Sequence, residues 1–359
     1  MIDTDRGNNQ KIIEADIIRS FSILYIIILF HPIDYIARFI DKETFEVIQI
    51  YIYIRNSFAL IALGMFIFIS GFLLARRYPV LRDSKDKALF IKTRIIRIYP
   101  LYLFALIMFA LFIVPGSVNL TSFASHIFLL NLLLYPLTGT PIITLWFIGL
   151  IFSYYLLFPI VINSSNKLLR IAILLGLTLI ILALLHKYLG IVHERMIIYL
   201  PVFFIGIYCG RNGLIYFLRS KPVVISSAFI LSLSFYYNLI ILQGKTVLPN
   251  DSLTVFILHN LIMISAISPA WNLARLLSSA LGTNRDFFSK ISYYSYCMYL
   301  FHRIIFFILL KIYYPQSAIL TLAYLILVGF PLTLVLSSLI QSGYDKLLTK
   351  TIYRKAYRI

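Results

Sequence analysis

Charge is what this sequence has least of: only 13% of its 359 residues are Asp, Glu, Lys or Arg, about half of the ~25% usual in soluble chains. Beside 61% hydrophobic residues, that shortage excludes an ordinary water-soluble domain, because the apolar excess has to face lipid. Cysteine is nearly absent. Cys209 and Cys297 both lie inside apolar stretches, which excludes a disulfide framework, and no run has metal-ligand spacing, so no metal is expected. Neither a GxSxG elbow nor a Walker-type loop occurs, which leaves a covalent intermediate without a motif. No fixed-period repeat, low-complexity linker or soluble domain divides the chain, whose one sizeable polar insertion is 76–97, and residues 1–359 read as a single transmembrane domain. The N-terminus has no short apolar core with a small-residue cleavage site, so the first apolar run is expected to remain as a signal anchor.

What is present is apolar segments of membrane-crossing length. A span needs about 20 apolar residues, and on that basis spans are expected at 17–36, 56–75, 98–115, 142–163, 169–187, 196–211, 222–242, 252–273, 291–310 and 317–341. The predicted fold is therefore all-α and polytopic, with about ten transmembrane helices. Segment 121–136 (TSFASHIFLLNLLLYP) is apolar but short and holds His126 and Asn131. It fits a re-entrant or interfacial piece. With that segment not crossing, most Lys and Arg residues fall on one side, including the cluster from Arg76 to Arg97 and the tail after Tyr344. The positive-inside rule then puts both termini in the cytoplasm, as expected of a multi-pass protein of the plasma (cell inner) membrane. The formal charge of +18 is read as this topology signal, touching membrane lipid and not nucleic acid.

Ionisable residues inside a bilayer cost about 2.5 to 3.5 kcal/mol each near a helix centre, which makes the few present here the place to look for function. Arg19 lies near the inner boundary of the first span. His31 follows twelve residues later, about 18 Å outward at 1.5 Å per residue, and Pro32 can open the backbone around it. The same counting from Lys290 puts His302 at a similar depth, with Arg303 beside it. Imidazole suits proton abstraction from a hydroxyl at neutral pH. For His302, a catalytic role and a helix-packing role remain open; His259 reads as a packing histidine. On the basic side, Lys92, Arg94 and Arg97 in FIKTRIIRIYP end the polar insertion where the third span begins. Guanidinium groups there would serve phosphates, although spacing alone favours a basic patch on lipid headgroups.

Several motifs in chain order resemble the membrane-bound acyltransferase-3 family. They are an early Arg then His (Arg19, His31), FIFISGFLLARR at 66–77, the pair Arg94 and Arg97 in RIIRIYPLY, LWFIGLIFSYYLLFP at 145–159, and SYYSYCMYLFH at 292–302. The resemblance implies ten spans and transfer of an acyl group, usually acetyl from acetyl-CoA, to hydroxyls of glycans or other small acceptors. It makes His31 the essential base and sets Arg94 and Arg97 on the coenzyme A phosphates, with Lys92 nearby. Two departures stand out. One more residue separates Arg19 from His31 than in the family pattern, a rotation of about 100° that a π-bulge would absorb. Gly149, Leu150 and Ile151 occupy the region where the family often carries an acid, so an acid orienting His31 would come from elsewhere. Asp34 is the nearest in sequence, though it also reads as an interfacial residue.

The sequence thus predicts an integral membrane O-acyltransferase. Its acyl-CoA donor binds from the cytoplasm, and its acceptor is a cell-envelope glycan or lipid-linked sugar. His31, Arg19 and His302 are the expected catalytic residues, with Arg303 or His302 steadying the oxyanion. The rival reading is an exporter of a polysaccharide or lipid-linked intermediate, which paired broken helices or an inverted repeat would signal; a purely structural scaffold is third.

Overall fold

The computed structural model describes residues 12–36, 39, 45–113, 120–139, 142–242, 252–280 and 285–356. Of the basic residues used for topology, Arg6, Lys11, Arg38, Lys42, Lys245 and Arg358 lie outside them. Helices account for nearly all regular structure among the described residues. Among the described residues, eight stretches are long and apolar enough to cross a bilayer: Tyr51–Arg77, Ser84–Ile113, Trp146–Ser164, Leu168–Leu189, Lys221–Ile240, Ser252–Ala280, Arg285–Ile312 and Ala318–Thr349. The protein is an all-α polytopic membrane protein.

Two expected spans take a different form. Segment 17–36 begins as α1 (Ile13–Leu24) and continues as a π-helical stretch, Tyr25–Phe30, and a 3-10 turn, Pro32–Tyr35. Segment 196–211 divides into the five-residue α7 (Glu194–Ile198) and the 13-residue α8 (Leu200–Asn212). Pro201 stands in the first turn of α8, and Gly213 ends it in the left-handed region at φ 65°, which only glycine adopts freely. A helix of that length rises about 20 Å, less than a ~30 Å hydrocarbon layer.

The remaining elements follow the sequence pattern. They are α2 (Phe45–Arg77), α3 (Ser84–Met108), α4 (Leu120–Ile127), α5 (Trp146–Val161), α6 (Leu168–Leu189), α9 (Ile215–Leu218), α10 (Lys221–Leu242), α11 (Ser252–Ala280), α12 (Arg285–Ile312), α13 (Ala318–Tyr324) and α14 (Phe330–Ala356). Segment 121–136 does not cross. It forms α4, eight residues and about 12 Å long, followed by irregular turns. His126 holds it in place, with Nδ1 at 2.8 Å from the Ser122 carbonyl and Nε2 accepting from the Ile142 N–H at 2.9 Å. Tyr102 of α3 donates to the His126 carbonyl at 3.0 Å. These bonds satisfy backbone groups that lipid could not.

The core lies where α1, α2, α5, α8 and α12 meet. α2 and α8 approach until backbone touches backbone. A Cβ on Gly71 would sit 2.6 Å from the Phe203 carbonyl oxygen, and Cβ atoms on Gly206 and Gly210 would collide with the carbonyls of Phe68 and Phe72. Gly206 and Gly210 form a GxxxG step, the small-residue face that lets membrane helices pack closely. α6 and α10 are mostly exposed, as helices on a lipid-facing rim are.

Candidate active site

Within the bundle, two histidines meet. His31, at the end of the π stretch, and His302, in mid-α12, stack with ring centroids 4.7 Å apart, and His31 Nδ1 lies 2.6 Å from His302 Nε2. Both are buried. The residue spacing along α1 and α12 had set them at one depth; the structure adds that they touch.

The π stretch positions His31. Wider than an α-helix, it takes in the extra residue between Arg19 and His31 and ends with the His31 N–H donating to the Ile26 carbonyl at 3.0 Å. The additional residue therefore turns the imidazole onto α12 instead of rotating it away.

Hydrogen bonding fixes the tautomers. His302 Nδ1 lies 2.9 Å from the Tyr299 carbonyl and 3.1 Å from that of Met298. Carbonyl oxygens only accept, so Nδ1 of His302 carries its proton. In the neutral ring Nε2 is then an acceptor, and the 2.6 Å contact requires His31 Nδ1 to donate. His31 Nε2 is left with a free lone pair. His302 does for His31 what an orienting carboxylate does for a catalytic histidine. Both nitrogens of His302 are engaged in this arrangement.

Asp34 does not orient His31 either. Its carboxylate pairs with Arg303 Nη2 at 2.5 Å and Arg55 Nη1 at 3.1 Å. Arg303, 9% exposed, keeps a buried Nε–H without a partner, and this is a donor beside the histidine pair.

On one side of this level opens a cavity of about 1000 Å3, large enough for an extended ligand. Arg19, Arg76, Arg77, Arg94, Arg97 and Lys290 line it, against only Asp16 and Asp286. Asp16 accepts from Ser292 at 2.8 Å and Ser289 at 3.2 Å. Arg94, 8% exposed, is held between rings: its guanidinium lies 5.5 Å from Phe90 and 5.7 Å from Tyr78, whose hydroxyl it meets at 3.3 Å. Its Nε has no partner.

The structure places four further basic residues relative to this cavity. Arg19 sits in the cavity with the other arginines, a helix length from His31. Lys92, two residues before Arg94, is exposed and is not part of the lining, since two positions on a helix point about 200° apart. Arg76 and Arg77 do line the cavity, although the sequence offers them only as topology charges; their signal was their place at the end of SGFLL. The cavity's deep wall includes Phe147 and Tyr299, whose rings are 5.3 Å apart. Tyr299 is also the residue whose carbonyl holds His302, so the histidine pair lies one layer behind this wall.

Residues 12–341 match the family described as an acyltransferase domain. The chain belongs to the acyltransferase-3 family. The match runs from the start of the first described segment to the middle of α14, so it takes in the histidine pair and the cavity together. No curated protein and no solved structure matches the chain. The protein is accordingly a membrane acyltransferase, and its donor, acceptor and base are matters of the site's chemistry.

Proposed function

We propose that this acyltransferase moves an acetyl group from acetyl-CoA to a hydroxyl of a cell-envelope glycan or lipid-linked sugar, with His31 as general base. The positive-inside rule puts the arginine-lined cavity at the cytoplasmic face of the inner membrane, where coenzyme A is found. Arg19, Arg94 and Arg97 engage the donor's phosphates there, and guanidinium groups suit them because they donate in pairs. The pantetheine arm runs toward Phe147 and Tyr299, and movement of these two rings admits the thioester to His31.

Nε2 of His31 takes the proton of the acceptor hydroxyl as its oxygen attacks the thioester carbonyl. Arg303 Nε–H donates to the developing oxyanion. Collapse of the tetrahedral adduct breaks the C–S bond, and the leaving thiolate takes the proton back from His31. Direct attack needs no enzyme nucleophile; Cys209 and Cys297 are both buried, and the Cys297 thiol donates to the Gln341 side chain at 3.2 Å.

The observation that carries this reading is the bonded order carbonyl, His302, His31, which leaves the Nε2 lone pair of His31 as the free basic nitrogen of the pair. The test is radiolabelled acetyl-CoA given to purified protein with an envelope glycan extract. Label appearing on glycan supports acetyl transfer, whereas label remaining on coenzyme A favours the exporter.

A further inference from the structure

At the end of the bundle opposite the arginine cavity, three segments close on one another. The Leu132 and Leu133 carbonyls of the re-entrant segment accept from the N–H groups of His193 and Val192 at 2.7 and 3.0 Å. The start of α5 follows, where Arg195 lays its guanidinium over the face of Trp146, 4.3 Å from the ring centroid. Among the described residues no carboxylate pairs with Arg195: the salt bridges are Arg55–Asp34, Arg219–Glu14 and Arg303–Asp34. Among the described residues its side-chain donors have no hydrogen-bond acceptor, and Arg195 is only partly buried. Glu194 next to it is exposed and within electrostatic reach of His259 on α11.

Two further polar side chains here lack partners. Asn131 is 1% exposed, yet neither atom of its amide is hydrogen-bonded. The amide presses against Gly149, where a Cβ would collide with it, so glycine in place of an acid makes room for an asparagine. Thr144, also buried, has an unbonded hydroxyl and a φ of 73°, which a β-branched residue rarely adopts. Buried polar atoms without partners are uncommon enough in native folds to need a cause, and an absent ligand is one. This group adjoins the reacting centre: Phe147 follows Trp146, Tyr299 donates to the Thr144 carbonyl at 3.0 Å, and Tyr299 packs on His302.

We infer that Arg195 on Trp146, with the Asn131 amide and the Thr144 hydroxyl, forms the acceptor subsite, and that the acceptor is a sugar bearing a carboxylate or a phosphate. The inference rests on the acyl-transfer reading for the word acceptor, but its chemistry is independent of transfer. A stacked guanidinium free of carboxylate is a built receptor for an oxyanion, and two unpaired polar groups nearby suit sugar hydroxyls.

The test is equilibrium binding to the full chain in nanodiscs of zwitterionic lipid, using trigalacturonate, galactose 1-phosphate and the neutral galactotriose. At least one anionic probe is expected to bind about tenfold or more tightly than galactotriose, as charge-assisted bonds allow. Arg195→Gln should reduce it to the neutral level, and Arg195→Lys should restore part of the difference. A carboxylate preference assigns acidic sugars, and a phosphate preference assigns phosphate-linked ones. Equal binding of all three probes, or an Arg195→Gln protein that still discriminates, overturns the inference. Acetyl-CoA affinity measured on the same samples is the folding control. If the wild-type protein ignores acetyl-CoA yet prefers the anion, the transfer reading fails while the subsite stands.

Discussion

Replacing His302 by leucine removes the acceptor that holds His31 in its tautomer. The His31 Nδ1–H, bonded at 2.6 Å, loses its partner, whereas the Tyr299 and Met298 carbonyls lose only a side-chain donor and keep their place in the helix ladder. A buried donor left unsatisfied costs about 1 to 3 kcal/mol, and His31 would recover part of that by turning its ring or moving its proton to Nε2. Either change takes the lone pair away from the acceptor hydroxyl. At about 1.4 kcal/mol per factor of ten, the turnover of acetyl transfer should fall roughly ten- to a hundredfold. Donor affinity should stay the same, because the cavity arginines are untouched. His302→Gln should retain more turnover than His302→Leu, since an amide can donate to a carbonyl with one end and accept from His31 with the other. The assay is the initial rate of labelled acetyl transfer in nanodiscs across a range of acetyl-CoA concentrations, with a thermal unfolding curve for each variant. A folded His302→Leu protein with undiminished turnover, or one losing only donor affinity, would refute the relay.

Three other outcomes follow from the geometry. Arg94→Gln should raise the KM for acetyl-CoA by about tenfold or more with little change in kcat, as removal of one charge-assisted phosphate contact does, read from donor titrations. Gly206→Val would drive a side chain into the Phe68 carbonyl where α2 and α8 touch; overpacking of this kind costs about 1 to 3 kcal/mol or more, seen as a lower unfolding midpoint in detergent chromatography. His193, outside the spans, has its pKa lowered to about 4 by burial and, next, by the charge of Arg195. Its neutral Nδ1 accepts from the Arg195 N–H at 3.2 Å. The unfolded chain therefore binds more protons between about pH 6.5 and 4, and stability should be complete above that window and decline as the pH falls through it. His193→Phe should flatten this part of the melting-midpoint curve against pH.

Much of the architecture was legible because membrane helices declare themselves by length and polarity, and segment 121–136 was short enough to be told apart. Where a helix start depends on one residue, legibility failed: with Pro201 in its first turn, α8 begins at Leu200 although the apolar run begins at 196, while its end at Asn212 is within one residue of the expected one. In the site, counting along α1 and α12 brought His31 and His302 to one depth, and the extra residue before His31 pointed to the π stretch that is present. No sequence rule gave the bond between the two rings, because it depends on the azimuth of two helices hundreds of residues apart. Asp34 was nearest to His31 in sequence, but Arg55 and Arg303 claim its carboxylate. Arg76, Arg77 and Arg19 looked like charges at membrane boundaries, and only the packing of α1, α2, α3 and α12 gathers them with Arg94 and Arg97 around one cavity. Asn131 and Gly149 make sense only as a pair in contact.

The most direct measurement is acetyl transfer by a His31→Ala protein in nanodiscs, with acetyl-CoA affinity determined on the same preparation. The proposed chemistry requires that transfer to glycan disappear while the donor binds as tightly as in the unaltered protein. Transfer continuing at a comparable rate without this imidazole would contradict it.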